Sequence, residues 1–419
     1  MATGFLIICM ATAGFAMVAQ RLASTSLTAP MVFLALGYVL SSTGLVSDDS
    51  SHALLHPVAE ITLVILLFLD AAQTDLAALR RRHIWPSRML LIGLPLAIAL
   101  GALAGAVLLP TWPFVAVLLM AAILAPTDAA LGQAVVTNPN VPIRPRRALT
   151  VESGLNDGLA LPIILLFASL TAAEMDVNGG AWLVFGLKQI VLGPLVGIAV
   201  GALGGWILLR AKARHTTSDI YEGVGALALA GSAYLAATEI GGNGFISAFV
   251  AGLTFGGIVK GACKFVYEFT ESEGQLLAWA SFLLLGAALV PEAIAHLTWP
   301  MLALILISLF LVRPLAIWLS LIGTDAAPLT RVFFGWFGPR GLATALFALL
   351  VIDEIPAEIG EPILHIAINA VWISAVLHGI TAAPAARWYG RKLSESGTSA
   401  ETETIEHSAK PIITRRHSE

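Results

Sequence analysis

Residues 125–130 read APTDAA, and residues 337–343 read FGPRGLA. Each stretch lies inside a long apolar segment and couples a proline to a charge, Asp128 in the first and Arg340 in the second. A proline removes a backbone hydrogen bond and breaks a helix. Within a membrane such a break needs protein or a cavity to satisfy the freed groups. Two matched breaks in corresponding halves of a chain are typical of proteins that bind a solute at the bilayer midplane.

The composition places the rest of the chain in a membrane. The chain has 419 residues, of which 58% are hydrophobic and 12% are charged, and the mean hydropathy is +0.86. A soluble domain carries about 25% charged residues, so we predict an all-α polytopic membrane protein. The net charge of -4 argues against nucleic acid as a partner. Cys9 and Cys263 have no Cys or His neighbours at metal-ligand spacing, so we expect no disulfide framework, zinc site or other cofactor.

About 20 apolar residues cross a bilayer, and this length predicts about thirteen transmembrane helices. The predicted spans are 4–20, 28–46, 57–79, 89–109, 112–137, 147–171, 181–209, 219–239, 243–259, 273–290, 297–322, 331–351 and 363–387. With the N-terminus outside, the loop Lys and Arg residues all fall on the cytoplasmic side, as the positive-inside rule requires. We therefore expect a multi-pass protein of the plasma (inner) membrane with a cytoplasmic C-terminus. Residues 1–390 form its transmembrane domain, and residues 391–419 form a polar cytoplasmic tail.

Charged residues within spans are costly and usually functional. Six occur in spans 3, 5, 6, 11 and 12: Asp70, Asp128, Glu152, Asp157, Arg313 and Arg340. All except Glu152 lie about nine or ten residues from the cytoplasmic end of their span, roughly 14–15 Å deep. A buried Arg keeps its proton and needs a carboxylate, so we expect Arg313 to pair with Glu152. We also expect Asp128 and Arg340 to offset the partial charges of the exposed half-helix ends.

The remaining acids suit a small monovalent cation. Asp128 and Asp157, with the hydroxyls of Thr127 and Ser153, supply the oxygen ligands that such an ion needs. A buried carboxylate also binds protons, so a cation and protons can compete for one site. Asp70 either joins this site or lines a cytoplasmic funnel. His378 either titrates or serves as a packing residue, and the sequence leaves both alternatives open.

Seven stretches of the chain carry a family resemblance. They read FLDAAQTDL (68–76), APTDAA (125–130), ESGLNDG (152–158), EIGGNGFISAFVAGLTFG (239–256), VRPL (312–315), FGPRGLATAL (337–346) and HGIT (378–381). With them the chain resembles the NhaP-like (sodium/hydrogen exchanger) branch of the monovalent cation:proton antiporter family. One departure is the run of residues 71–73, Ala-Ala-Gln, where relatives often have Gly-Leu-Glu.

The resemblance implies a homodimer of the Na⁺/H⁺ antiporter fold, built from inverted repeats. Its core, around spans 3–6 and 10–13, would move against a dimerisation part formed by the other spans. The Asn-Asp pair is similar to the signature of the electroneutral branch. The implied roles are Asp157 as cation and proton carrier, Asp128, Thr127 and Ser153 as ligands, Asn156 as a residue that steadies the site, Glu152 and Arg313 as a structural ion pair, and Arg340 as a stabiliser of the crossing.

These observations predict a secondary transporter, not an enzyme, that exchanges Na⁺ for H⁺ and serves pH homeostasis. K⁺/H⁺ exchange on the same fold is the first alternative, since the ligand set suits Na⁺, K⁺ or Li⁺. Two alternatives come from other classes. Asp128 and Asp157 resemble the dyad of an intramembrane aspartate hydrolase, and a transporter scaffold can also serve as a non-transporting sensor.

Overall fold

The computed structural model describes residues 2–22, 25–45, 48–74, 84–136, 138–175, 179–259, 264–352, 354–395 and 401. All regular secondary structure in these ranges is helical, which confirms the predicted all-α class. Residues 80–82 of a predicted basic loop, and residues 396–400 and 402–419 of the predicted tail, lie outside the described residues.

The helices follow the predicted spans. Their bounds are α1 Ala2–Leu22, α2 Ala29–Ser42, α3 Asp48–Gln73, α4 Ile84–Leu108, α5a Phe114–Ile123, α5b Ala129–Val136, α6 Ile143–Met175, α7 Gly179–Ala213, α8 Asp219–Glu239, α9 Gly244–Val259, α10 Lys264–Ala288, α11 Trp299–Ser320, α12a Pro328–Trp336, α12b Leu342–Ile352 and α13 Ala357–Glu395, with a short helix Val290–Ala295 between α10 and α11. In the described part of the chain, seven helices are long and apolar enough to cross a membrane, and six shorter apolar helices accompany them. Together they correspond to the thirteen predicted spans.

Both predicted breaks are present. The halves α5a and α5b contain 10 and 8 residues, and α12a and α12b contain 9 and 11. None of these approaches the roughly 20 residues that cross a bilayer. The two spans are therefore discontinuous helices whose unwound segments, residues 124–128 and 337–341, lie within the protein.

Two helices contain features that the sequence did not predict. A five-residue π-helical segment interrupts α4 at Met89–Gly93, and another interrupts α11 at Ser308–Val312. In each case a proline, Pro95 or Pro314, is the second residue after the segment. The same irregularity thus occurs in the span that precedes each broken helix. This correspondence agrees with a fold built from two related halves.

Small residues bring several helices together. A Cβ on Gly193 or Gly197 of α7 would lie 2.8 or 2.5 Å from a backbone oxygen before or within α9. On its other side α9 packs on the backbone of α3 through Gly252 and Gly256. Such contacts are the usual basis of helix association in lipid, where apolar burial gives little driving force. They place α3, which carries Asp70, firmly against α9.

An ion pair joins three helix ends on the side of the α11–α12a loop. Asp325 in this loop accepts a hydrogen bond from Trp85 Nε1 at 2.7 Å and pairs with Arg144 Nη2 at 2.7 Å. The Arg144 guanidinium also lies 3.8 Å above the Trp85 ring. Partial burial alone would raise the pKa of Asp325, but the bonds from Arg144 and Trp85 outweigh it and hold the pKa below its usual value.

A depressed pKa in the folded state makes a carboxylate stabilising above its unfolded pKa of about 3.9. We therefore expect wild-type protein to melt at a higher temperature than an Asp325→Asn variant near neutral pH. The difference in melting temperature should disappear as pH falls from about 5 through the folded-state pKa of Asp325, because the Asp325 carboxylate is then protonated and its ion pair with Arg144 is lost. Thermal unfolding in detergent across this range measures it. A difference that stays constant with pH would contradict the ionic origin of the contact.

Candidate functional site

Arg340 occupies the centre of the crossing between the two broken helices. Its Nη1 donates hydrogen bonds to the carbonyl oxygens of Ala125 at 2.7 Å and Pro126 at 3.0 Å, just beyond the C-terminus of α5a. Its Nη2 faces Ser308 Oγ of α11 at 3.4 Å. The guanidinium is buried and thus satisfies carbonyl groups that the break in span 5 leaves without helical partners.

Asp128 of span 5 caps the N-terminus of the second half of span 12. Its Oδ2 accepts a hydrogen bond from the backbone N–H of Leu342, the first residue of α12b, at 2.7 Å. Its own N–H donates to the carbonyl oxygen of Pro339 at 2.9 Å. A carboxylate at a helix N-terminus is favoured by the helix dipole and by the free N–H groups. A Cβ on Gly341 would collide with the Asp128 carboxylate, so glycine at this position permits the contact.

Glu152 and Arg313 form a buried, bidentate ion pair. Arg313 Nη1 lies 2.8 Å from Glu152 Oε1, and Nη2 lies 3.1 Å from Oε2. Both side chains are 3% exposed or less, so each charge depends on the other for its compensation. The pair joins α6 to α11 directly beside the crossing. A Cβ placed on Gly338, in the unwound segment of span 12, would lie 3.0 Å from both Arg313 Cζ and Thr127 Cγ2.

Asn156 links this ion pair to the unwound part of span 5. Its Nδ2 donates to Thr127 Oγ1 at 2.6 Å and to the Thr127 carbonyl oxygen at 3.1 Å. The Thr127 hydroxyl in turn lies 3.4 Å from Glu152 Oε2. In this conformation the Thr127 hydroxyl is thus occupied by protein groups. The Asn156 Oδ1 atom is buried and has no hydrogen-bond partner among the described residues.

Asp157 follows Asn156 and differs from it in environment. The residue is partly exposed, and its buried Oδ1 atom also lacks a hydrogen-bond partner within the described part of the chain. The negative charges of Asp128, Asp70 and Glu152 all act on its carboxyl group. An oxygen atom with unused lone pairs amid negative charge can accept a cation or a proton.

Burial divides the predicted site residues into two groups. Asp70, Asp128, Ser153 and Asp157 are partly exposed, whereas the others are buried, namely Thr127, Glu152, Asn156, Arg313 and Arg340. Ser153 precedes Asp157 by one turn of α6, as predicted. Asp70 lies opposite Gly154 of α6, at 3.6 Å between its Cβ and a Cβ placed on that glycine. The helix that carries Asp70 ends three residues later, at Gln73, and residues 75–79 of the predicted third span lie outside the described residues.

The sequence did not indicate how α13 holds the crossing. Ser374 Oγ accepts a hydrogen bond from the backbone N–H of Arg340 at 2.7 Å. One turn later, His378 Nε2 lies 2.9 Å from the carbonyl oxygen of Trp336, the last residue of α12a. A carbonyl oxygen only accepts, so this nitrogen carries a proton. The i, i+4 spacing of the two polar residues was the available signal, and His378 has a structural contact.

Comparisons with known proteins identify the family of the chain. A family profile described as "Sodium/hydrogen exchanger, transmembrane" matches residues 5–388 of the chain. The chain belongs to the sodium/hydrogen exchanger family. The predicted family resemblance is therefore confirmed over the whole membrane region of this exchanger-family chain.

This chain is 28% identical over 382 residues to the K(+)/H(+) antiporter NhaP of Alkalimonas amylolytica, covering 88% of this chain and 64% of that protein. It is 28% identical over 374 residues to the K(+)/H(+) antiporter NhaP2 of Shewanella sp. strain MR-4, covering 85% and 62%. It thus spans less than two thirds of the length of these curated relatives. The sodium proton antiporter MjNhaP1 of Methanocaldococcus jannaschii, solved at pH 8, has the same fold, with a TM-score of 0.76, 22% identity and coverage of 94% of this chain and 99% of that one.

Removal of one partner from the buried pair tests its contribution to the stability of the fold. We expect Glu152→Gln to lower the free energy of unfolding by about 3–5 kcal/mol, because Arg313 then remains charged and unpaired. The double variant Glu152→Gln/Arg313→Met should recover most of the loss. Thermal unfolding of purified protein in detergent measures both.

The matched control is Glu395→Gln, which removes an exposed pair with Lys392 of similar length, 2.9 Å. Exposed pairs contribute about 0–1 kcal/mol. A Glu152→Gln variant that unfolds like this control would show that the Arg313 pair is not required for stability.

Proposed function

We propose that this chain is a secondary antiporter of the plasma membrane that exchanges a monovalent cation for H⁺ by alternating access and so contributes to pH homeostasis. The observation that carries the proposal is Asp157. It is partly exposed, one of its oxygen atoms has no hydrogen-bond partner among the described residues, and it lies next to the crossing of two broken helices. Discontinuous helices of this kind form the ion sites of many transporters.

The balance of charge supports exchange. Around the crossing lie four carboxyl groups and two guanidinium groups, those of Asp70, Asp128, Glu152, Asp157, Arg313 and Arg340. Among these six groups the carboxyls outnumber the guanidiniums by two. Glu152 is already paired with Arg313, so the carboxylate open to exchange is that of Asp157, one of whose oxygen atoms has no hydrogen-bond partner among the described residues. Either a cation or protons can neutralise it, and the two then replace each other at the same oxygens.

The proposed ligands follow from partial exposure and, for Asp157, from the oxygen atom that has no hydrogen-bond partner among the described residues. Asp157 and Asp128 would hold the cation, Ser153 would add a hydroxyl, and Asp70 would add charge at the entrance. Asn156 would steady the site through Thr127. The Thr127 hydroxyl would reach a bound cation only if its bond from Asn156 opened. Glu152, Arg313 and Arg340 would hold the frame and would not carry ions.

We further propose a homodimer in which the core, spans 3–6 and 10–13, moves against the remaining spans, with the N-terminus outside and the C-terminus in the cytoplasm. The distribution of Lys and Arg supports the orientation, and the family resemblance supports the dimer and electroneutral exchange. The tight packing of Gly252 and Gly256 on α3 means that such a movement would either separate these backbones or carry α9 with α3.

The transported ion has two candidates. The chain's relatives from Alkalimonas and Shewanella are named K(+)/H(+) antiporters, whereas its structural neighbour is named a sodium proton antiporter. Both ions use oxygen ligands of the type found here. The alternatives of a hydrolase and of a sensor gain no support from the family.

Proton flux in proteoliposomes tests the proposal. Purified protein would be reconstituted with a pH-sensitive dye inside the vesicles, and Na⁺, K⁺ and Li⁺ would be added in turn. We expect Asp157→Asn to abolish cation-dependent proton movement, because the amide keeps the shape of the side chain but neither titrates nor carries charge. The folded protein should be retained.

Asp219→Asn is the matched control, since Asp219 is an exposed carboxylate at the start of α8. This variant should transport like wild type. Cation-dependent flux that survives in Asp157→Asn would refute the role of Asp157. Absence of flux with every cation in wild-type protein across a pH series from about 5.5 to 9 would refute exchange itself.

A further inference from the structure

A cluster of two histidines and at least one glutamate lies away from the crossing. Glu292 belongs to the short helix Val290–Ala295, His296 caps the end of this helix, and His365 lies in α13. One ligand atom of each lies within 4.8 Å of the others. His365 is nine residues before Ser374 in the same helix, about 14 Å along its axis, so the cluster is separate from the candidate ion site.

The sequence repeats one pattern on the two helices. Glu292 precedes His296 by four residues, and Glu361 precedes His365 by four residues. This spacing puts each glutamate and its histidine on one face of a helix. The charge of Glu361 acts on His365 together with that of Glu292. Ligand atoms of Glu292, His296 and His365 thus lie together, and Glu361 lies one turn before His365 on the same face of α13.

The contacts within the cluster place both imidazole rings beside the carboxylate of Glu292. His365 Nε2 lies 3.8 Å from Glu292 Oε1. The rings of His296 and His365 are parallel within 7°, with centroids 4.8 Å apart. His296 Nδ1 lies 3.0 Å from the carbonyl oxygen of Glu292, and donation to this oxygen leaves Nε2 with its lone pair. A metal-binding histidine typically has its second nitrogen bonded in this way.

The scaffold beneath the cluster is fixed. Asn369 is fully buried, and its Nδ2 donates to the carbonyl oxygens of Ala293 at 2.6 Å and His365 at 2.9 Å. Trp372 Nε1 donates to Asn369 Oδ1 at 2.8 Å. One buried amide thus joins the short helix to α13 directly below the ligand atoms. The two Glu-x₃-His pairs are held at a constant separation.

We propose that Glu292, His296, His365 and Glu361 bind a divalent transition metal, with Zn²⁺ as the natural occupant. Imidazole and carboxylate ligands suit Zn²⁺ and its neighbours, whereas Na⁺, K⁺ and Mg²⁺ prefer oxygen alone. Tetrahedral ligands at about 2.0–2.1 Å from zinc lie about 3.3 Å apart. The exposed side chains of Glu292 and His296 can close the remaining distance by rotation. The expectation of no zinc site rested on the cysteines, and these ligands include none.

Zinc titration of the purified, tag-free protein tests the proposal. The protein in detergent would first be treated with a chelator, and Zn²⁺ binding would then be measured by competition with a chromophoric zinc indicator at about pH 7.5, where histidine is mainly neutral. We expect one equivalent to bind, with little competition from Mg²⁺. His296→Ala should weaken binding by about tenfold or more. His296 is exposed, so this variant should fold as wild type.

His56→Ala is the matched control, because His56 is an exposed histidine of α3 outside the cluster, and it should bind zinc like wild type. Glu361→Gln should weaken binding if the fourth ligand is correctly assigned, and unchanged binding in this variant would remove Glu361 from the site. Zinc binding that is absent, or that is equal in His296→Ala and His56→Ala, would overturn the proposal.

Discussion

The structure depends on the reciprocal capping of two broken helices. An unwound segment inside a membrane leaves N–H and C=O groups without water, and each unsatisfied group costs several kcal/mol. Arg340 of span 12 satisfies carbonyl groups of span 5, and Asp128 of span 5 satisfies an N–H group of span 12. Each break supplies the partner that the other needs. This reciprocal capping explains why one break carries a base and the other an acid.

The capping also divides the acids of the region into different tasks. Glu152 is held by Arg313, and through Thr127 and Asn156 it supports the unwound chain of span 5. These groups are buried and mutually bonded. Asp157 follows Asn156 in the sequence, but successive side chains of a helix point in different directions around its axis. The Asp157 carboxylate therefore lies outside this hydrogen-bond network. A rigid polar frame thus presents a carboxylate that is not used by the frame, which is what an exchangeable site requires.

The sequence predicted the parts that follow from strong local signals. Hydropathy identified the spans, the two prolines identified the breaks, and the cost of a buried arginine led from Arg313 to Glu152. The π-helical segments were not predicted, because an extra residue in one helical turn leaves hydropathy unchanged. The contacts of Ser374 and His378 were also missed, since they depend on which backbone groups the breaks expose. Exposure at Thr127 and Asp157 likewise depends on three-dimensional packing, so the sequence did not indicate that Thr127 is buried whereas Asp157 is partly exposed.

The two halves share a backbone plan but differ in charge. After each broken helix, the next span holds it with two polar residues at i, i+4, Glu152 and Asn156 in α6, and Ser374 and His378 in α13. Before each break, a π-helical segment is followed by one residue and then a proline. This intervening residue is Leu94 in α4, whereas in α11 it is Arg313, the arginine of the buried ion pair. At the crossing, the acids of α6 therefore belong to the first half, whereas their basic partner Arg313 belongs to the second. A symmetric fold can hold two breaks in place, whereas a single ion site requires that the charges be asymmetric.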